Sequence, residues 1–154
     1  MAARNSAAME EAPKLEIVRL FDAPPDLVFK VWSSAEHVAR WLGPKDYTCT
    51  SCKIDFRPGG TWRAAIRSPE GAEYWFSVVY RQITPPGRIA FSFHWEQGDE
   101  LDSEVTVTFA AEGNKTRMTF VQTPFKSVES RDSHVGGWNS CFDRLVAYAE
   151  QVAA

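Results

Sequence analysis

The end of the chain carries the pattern that most constrains the fold. From about residue 128 to 152, apolar side chains recur at steps of three and four, the spacing of one face of an α-helix. The members of this stripe are Val135, Trp138, Cys141, Phe142, Leu145, Tyr148, Ala149 and Val152. The pattern predicts one helix about 36 Å long, with Ser127 or Ser130 as its N-cap. No other segment has this period over this length, so the rest of the chain must cover the apolar face.

Gly136 and Gly137 interrupt that stripe, although a glycine inside a helix costs about 1 kcal/mol relative to alanine. Two explanations are open. A strand or loop could approach the helix backbone so closely that a side chain would not fit, which is the commoner reason for such a glycine. Alternatively, the missing side chains could leave room for a ligand. We expect the first explanation to hold.

Most of the chain before this helix shows the apolar–polar alternation of β-strands. We predict strands at residues 15–22, 47–56, 62–66, 74–83, 89–95, 105–109 and 116–123. Between the first two strands, Pro25 and Ser34 begin two short amphipathic helices, and the second stops at Gly43-Pro44. The closely spaced turns favour antiparallel pairing. The order of elements therefore predicts an α+β domain in which a curved sheet wraps around one long helix.

The composition is that of one globular domain, with 154 residues of which 44% are hydrophobic and 24% charged. We place the domain at residues 14–154 and predict that the polar, alanine-rich residues 1–13 are a disordered tail. The net charge is −3 and the basic residues are dispersed, so we expect no nucleic-acid partner. No apolar run approaches the roughly 18 residues of a membrane helix, so we expect no membrane insertion. Three cysteines, an odd number, favour a reducing compartment, and we predict a cytoplasmic protein.

Cys49 and Cys52 have the spacing of half a zinc site. The other half is missing, because Cys141 is isolated and no second paired motif exists. In a regular strand, moreover, residues three apart point to opposite faces of the sheet. We therefore predict no metal site, and no sequence motif indicates a cofactor.

The three histidines are the most obvious titratable candidates. His37 is expected at the surface of a short helix, and His94 should point away from the apolar face of its strand. His134 lies one turn before Trp138, near the inner face of the long helix. A histidine in that position is more often a hydrogen-bonded structural residue than a catalyst, because a general base needs a partner and a pocket. We therefore assign no catalytic residue.

Aromatic residues are numerous, with six Trp and ten Phe in the chain. They could simply fill the core. One sheet and one helix joined by short helices tend, however, to leave a gap between them, and a gap lined by aromatics is the usual form of a small apolar ligand site. We predict such a cavity, with ligand contacts from Trp32, Trp41, Trp62, Phe91, Phe93, Trp95, His134, Trp138 and Phe142.

Several motifs, taken in order, resemble those of a known family. They are residues 19–24, beginning Arg19-Leu20-Phe21, then Trp41-Leu42-Gly43-Pro44, residues 55–63 with Arg57-Pro58-Gly59-Gly60, residues 86–91, Val105-Thr106-Val107, and His134 with Gly137-Trp138. Over about residues 15–150 the chain resembles the START-like (SRPBCC) helix-grip superfamily. Within it, the chain is similar to the C-terminal domain of the heat-shock chaperone ATPase activator (AHSA-type) family. The resemblance implies a helix-grip fold, in which an antiparallel sheet curves around a long C-terminal helix and two short helices follow the first strand.

The resemblance leaves three functions open, because the superfamily includes hydrophobic-ligand carriers, polyketide cyclase-like enzymes and chaperone regulators. Our first interpretation is a non-catalytic binder of a small hydrophobic molecule in the cavity. The second is a cyclase or aromatase, with His134, Tyr74 or Tyr80 as proton-transfer groups, and it needs two polar groups that converge inside the cavity. The third is a protein-interaction module with the heat-shock chaperone as candidate partner. The eukaryotic activator binds the chaperone through a separate N-terminal domain, and we do not expect residues 1–13 to replace it.

Overall fold

One antiparallel sheet of seven strands forms most of the molecule, with strand order β1-β7-β6-β5-β4-β3-β2. The computed structural model describes residues 13–154. Its elements are β1 (Leu15–Phe21), α1 (Pro25–Lys30), α2 (Ala35–Trp41), β2 (Thr48–Ile54), β3 (Thr61–Arg67), β4 (Glu73–Thr84), β5 (Arg88–Trp95), β6 (Ser103–Glu112), β7 (Lys115–Thr123) and α3 (Val128–Ala153). The sheet curls around α3, so the predicted α+β helix-grip fold is confirmed. The predicted disordered tail lies outside the described residues except for Pro13, whose carbonyl accepts a hydrogen bond from the Phe125 amide at 3.3 Å.

The concave face of the sheet is apolar because alternate residues of each strand point to it. On β5, Ile89, Phe91 and Phe93 are each at most 2% exposed. His94 lies on the other face, as predicted, and its Nδ1 is 2.6 Å from the Asp102 carboxylate. This strict alternation fixes the register, since a slip of one residue would turn the phenylalanines to solvent.

Helix α3 packs its apolar stripe against the sheet and is tied to one side of it. Ser127 is the N-cap, and its hydroxyl accepts a hydrogen bond from the Ser130 amide at 3.0 Å. Arg19 on β1 donates to Asp143 at 2.7 Å, which fastens the middle of the helix to that strand. Helix α3 therefore lies close to β1, at one edge of the sheet, and further from the strands at the other edge.

Within residues 13–154, no helix has both the length and the apolar character needed to cross a membrane.

The two glycines of α3 have open space beside them. A Cβ atom built on Gly136 or Gly137 would meet no atom within 4 Å outside the helix's own nearby backbone. The expectation that a strand or loop approaches the helix there is therefore wrong. The second explanation, room beside the helix, agrees with the structure, because Gly137 borders a cavity.

A single arginine holds the segment between α2 and β2 against the long helix. Nη1 of Arg144 donates to the carbonyl oxygens of Gly43 at 2.8 Å, Leu42 at 3.2 Å and Tyr47 at 3.3 Å. Gly43 adopts a φ of +104°, a conformation that favours glycine, and so lets its carbonyl turn inward. The amide of Lys45 adds a bond to the Ser140 hydroxyl at 2.7 Å. Segment 42–47 is thus a fixed wall of the molecule.

We expect Trp138→Ala to lower the free energy of unfolding by about 3–5 kcal/mol, the range for large aromatic truncations in a core. The indole is 8% exposed and packs on Phe120 and Phe142, with ring centroids 4.7 Å and 5.5 Å away. Urea unfolding measures the change. As a control, Val152→Ala removes a side chain that is 40% exposed and should cost under about 0.5 kcal/mol. A loss under about 1 kcal/mol for Trp138→Ala would contradict the packing described.

We expect Arg144→Met to release segment 42–47 while the fold persists, because Met keeps the apolar stem and removes the donors. Hydrogen bonds from a charged group contribute about 1.5–3 kcal/mol, so exchange of the Tyr47 amide, which is bonded to the Pro44 carbonyl, should accelerate about tenfold or more. Hydrogen exchange resolved by residue measures this. Arg40→Met is the matched control, since Arg40 is exposed over the Tyr148 ring. Equal exchange in both variants would show that Arg144 does not hold the segment.

Candidate functional site

A cavity of about 460 Å³ lies between α3 and the part of the sheet formed by β3, β4 and β5. Its walls are mostly apolar: Leu42, Pro44, Tyr47, Ile66, Tyr74, Phe76, Phe93, Trp95, Trp138 and Cys141. One end is polar, with Gln97, Asp99, Glu100, Ser133 and His134. The gap exists because the helix is tied to β1 at the far edge of the sheet and because Gly137 contributes no side chain.

Four of the nine predicted ligand contacts border this cavity, namely Phe93, Trp95, His134 and Trp138. The other five, Trp32, Trp41, Trp62, Phe91 and Phe142, do not border it and are packed in the filled core. The short helices explain the division. They bring Trp32 and Trp41 together, with ring centroids 4.8 Å apart, and the two indoles fill their end of the concave face. Contact with a ligand stays a prediction for the four residues at the cavity.

His134 is held by hydrogen bonds at both ring nitrogens. The Trp95 indole N–H, which can act only as a donor, lies 2.9 Å from Nε2, so Nε2 must be the acceptor. Nδ1 then carries the hydrogen and donates to the Ser130 carbonyl at 2.8 Å. To accept a proton at Nε2, the ring would have to release Trp95. His134 therefore fixes the position of the Trp95 indole at the wall of the cavity.

The three predicted proton-transfer groups do not converge. Tyr74 borders the cavity at its exposed side, with 41% of the residue accessible. Tyr80 is 2% exposed and does not border it. Burial, together with the nearby Cys52, raises the pKa of Tyr80, so this phenol stays protonated. The geometry that the cyclase interpretation requires is therefore not formed by His134, Tyr74 and Tyr80.

A polar residue not singled out in the sequence analysis fixes the second indole of the cavity. Gln122 on β7 is 1% exposed; its Oε1 accepts from Trp138 Nε1–H at 2.8 Å, and its Nε2 donates to the Ser103 hydroxyl at 2.8 Å. The signal was available, because Gln122 occupies the inward parity of Met118 and Phe120 on its strand. A buried amide at an inward position needs partners. Here the hydrogen bonds of Gln122 fix the orientation of Trp138, which borders the cavity.

The polar end of the cavity carries negative charge. Asp99 and Glu100 both border it, and none of the described residues that line it is Lys or Arg. Lys126 donates to Asp99 at 2.6 Å and lowers the pKa of that carboxyl, so Asp99 is ionised at neutral pH. Glu100 accepts a hydrogen bond from the Ser130 hydroxyl. An anionic ligand would meet repulsion at this end.

The two paired cysteines face the same side of the sheet, so the expectation that they point to opposite faces is wrong. A β-bulge between Cys49 and Ser51 is the reason: Cys49 lies opposite Ile66 and Cys52 opposite Ala64, two residues apart on β3. Both side chains are partly buried against the core. No cluster of three or more His, Cys, Asp or Glu side chains that could hold a metal ion occurs within residues 13–154.

Solved structures with the same fold come from several bacteria. A protein of Rhizobium leguminosarum is 27% identical with a TM-score of 0.78, and the match covers 92% of this chain and 96% of that one. The AHSA1 protein of Silicibacter pomeroyi is 23% identical with a TM-score of 0.77, covering 87% and 95%. A protein of Chromobacterium violaceum is 22% identical with a TM-score of 0.78, covering 90% and 97%. No curated protein matches the chain.

Membership of a family follows from the sequence itself. The model of the family described as "Activator of Hsp90 ATPase homolog 1-like protein" matches residues 22–150, most of the domain. The matched segment contains both short helices, strands β2 to β7 and most of α3. The chain therefore belongs to the AHSA1 family, and its curled sheet around a C-terminal helix is the START-like helix-grip fold.

Proposed function

We propose that the chain binds a small, uncharged apolar molecule in the cavity between α3 and strands β3 to β5, without transforming it. The observation that carries the proposal is the cavity itself, a cleft bordered by several aromatic side chains, with unfilled space beside Gly137. Its volume of about 460 Å³ lies within the range of small-molecule sites, about 300–1,000 Å³. The three cysteines are free, which fits a role in a reducing compartment such as the cytoplasm.

Apolar surface and charge together define the class of ligand. Walls formed by Phe93, Trp95 and Trp138 favour a flat, apolar molecule, since burial contributes about 25 cal/mol for each Å² removed from water. The carboxylates of Asp99 and Glu100 at the polar end disfavour an anion. An aromatic molecule without a carboxylate or phosphate group is the chemistry that fits.

The hydrogen bonds at the walls support binding rather than catalysis. His134 has both ring nitrogens engaged, and the Trp138 indole is held by Gln122. Groups that are already bonded in this way orient the aromatic rings before a ligand arrives, which lowers the entropic cost of binding. The family description names a chaperone ATPase activator. A heat-shock chaperone is therefore the partner to use in the arm of the experiment that tests a protein-interaction role.

The experiment uses two fluorescent probes that differ by one charge. N-phenyl-1-naphthylamine is uncharged, and its sulfonated analogue 8-anilinonaphthalene-1-sulfonate carries one negative charge. We expect saturable binding of the uncharged probe at one site per chain, with quenching of tryptophan emission. The sulfonate should bind more weakly, because Asp99, paired with Lys126, and Glu100 leave an excess of negative charge at the polar end.

Gly137→Leu should abolish binding of the uncharged probe, because the new side chain enters the cavity. Replacing a helical glycine also removes a cost of about 1 kcal/mol, so the fold should persist. Gly136→Leu is the matched control, since Gly136 is exposed and does not border the cavity. Loss of binding in both variants, or in neither, would contradict the proposal. If no apolar probe saturates and the chain instead binds a purified heat-shock chaperone, the protein-interaction role replaces it.

A further inference from the structure

The Cys49–Cys52 pair lies on β2, the strand at the edge of the sheet, outside the residues that border the cavity. The bulge turns both thiols to the concave face. Their partners on β3 are two residues apart, so the two Cα atoms are separated by about 6.5 Å, two strand rises. That separation is near the upper end of the Cα range for a disulfide, about 4.4–6.8 Å, and closure also needs the Cβ atoms to approach to about 3.5–4.5 Å, so β2 must tighten at the bulge.

The two thiols are chemically unequal. The Cys49 thiol lies 3.4 Å from the Ser51 carbonyl oxygen. The neighbouring Cys52 thiol, the Ser51 backbone and the Arg144 guanidinium lower the pKa of Cys49 and outweigh the opposing effect of partial burial. The side chain of Cys49, to which the protonated Cys52 thiol can donate, raises the pKa of Cys52, and partial burial acts in the same direction. Cys49 is therefore the more readily ionised thiol of the pair, and Cys52 holds its proton more strongly. In reversible thiol oxidation, a thiol with a lowered pKa reacts with the oxidant, and a second thiol then attacks it to form the disulfide.

Two buried donors beside the pair have no hydrogen-bond partner. The Trp62 indole N–H and the Tyr80 hydroxyl are 1% and 2% exposed as residues, and neither finds an acceptor among residues 13–154. Trp62 lies on the same face of β3 as Ala64, the strand partner of Cys52, and Tyr80 lies on the neighbouring strand β4. The Trp62 N–H lowers the pKa of the Cys52 thiol, and Cys52 helps to raise the pKa of Tyr80. A buried donor without a partner costs about 1–3 kcal/mol. An anion formed at Cys52 would supply the missing acceptor.

We propose that Cys49 and Cys52 are a redox-active pair that a hydroperoxide oxidises reversibly to an intramolecular disulfide. The Cys49 thiolate attacks the outer peroxide oxygen; an S–O bond forms, the O–O bond breaks, and the leaving alkoxide or hydroxide takes up a proton. Cys49, now a sulfenic acid, no longer carries the charge that kept Cys52 protonated. Cys52 loses its proton with Trp62 and Tyr80 as donors and attacks the Cys49 sulfur. The S–S bond forms, the S–O bond breaks, and water leaves with that proton.

Cys141 provides the matched control within the same chain. It is 2% exposed, its thiol lies 3.5 Å from the Trp41 carbonyl, and burial raises its pKa to about 12. A protonated, inaccessible thiol does not react with peroxide. Hydrogen peroxide should therefore oxidise the edge-strand pair and leave Cys141 as a thiol.

The test treats the folded chain with hydrogen peroxide and measures intact mass and thiol alkylation. We expect the mass of two hydrogen atoms to be lost, Cys49 and Cys52 to be protected from iodoacetamide, and dithiothreitol to restore both. Cys141→Ser should behave like the parent chain. Cys52→Ser should stop at a sulfenic acid on Cys49 that dimedone traps, and Cys49→Ser should lose no hydrogen. Circular dichroism confirms that each variant is folded.

Three results would overturn the proposal. One is a gain of oxygen atoms in the parent chain in place of the loss of hydrogen. Another is a disulfide that joins two chains. The third is loss of the reaction in Cys141→Ser. Tyr80→Phe removes the hydroxyl that would donate to the Cys52 thiolate. Disulfide formation should then be slower, and more Cys49 should be over-oxidised to the sulfinic acid.

Discussion

The structure depends on a mismatch of width between one helix and a seven-stranded sheet. Six spacings of about 4.8 Å make the sheet about 29 Å wide, whereas a helix with its side chains is about 10–12 Å across. Curling brings the edges of the sheet closer but does not close the difference. One helix therefore cannot cover the whole concave face, and its position decides which part stays uncovered. The bond between Arg19 and Asp143 ties the helix to β1, so the uncovered part lies towards β3 and β4.

The uncovered face is filled on one side and left open on the other. Helices α1 and α2 bring Trp32 and Trp41 onto the sheet, and these indoles pack with Phe120 and Phe142 into a continuous core. At the open side the large rings are prevented from collapsing inward. Trp95 donates to His134 and Trp138 donates to Gln122, so moving either indole into the space would break a hydrogen bond that is partly buried for Trp95 and fully buried for Trp138. The cavity persists because its walls are fixed by polar contacts behind the apolar surface.

The sequence patterns predicted the elements well because two different periods mark them. The apolar stripe of α3 and the alternation along β5 also predicted that Phe93, Trp95 and Trp138 lie on inner faces. Parity alone did not separate cavity walls from filled core, since Phe91 and Phe93 share one face of one strand and only Phe93 borders the cavity. That division depends on where the short helices settle, which is a matter of three-dimensional packing. The bulge between Cys49 and Ser51 was missed because strict alternation was assumed along β2, whereas the inward side chains change from Cys49 to Cys52 and Ile54 across the bulge.

The cavity and the thiol pair are separate sites that share supports. Ile66 borders the cavity and is the strand partner of Cys49. Arg144 holds segment 42–47 as a cavity wall and also favours the thiolate of Cys49. Two sites influence each other only when a ligand distinguishes the two states of the second site, and the influence is then equal in both directions. Closing a disulfide would remove the Cys49 thiol whose pKa Arg144 lowers, and would draw β2 tighter at the bulge, opposite Ile66. Arg144 bonds the Gly43 carbonyl directly, at 2.8 Å, so coupling between the two sites can pass through the position of its guanidinium or through Ile66. The coupling free energy through Arg144 is then at most about 1.5–3 kcal/mol, the contribution of one hydrogen bond from a charged group.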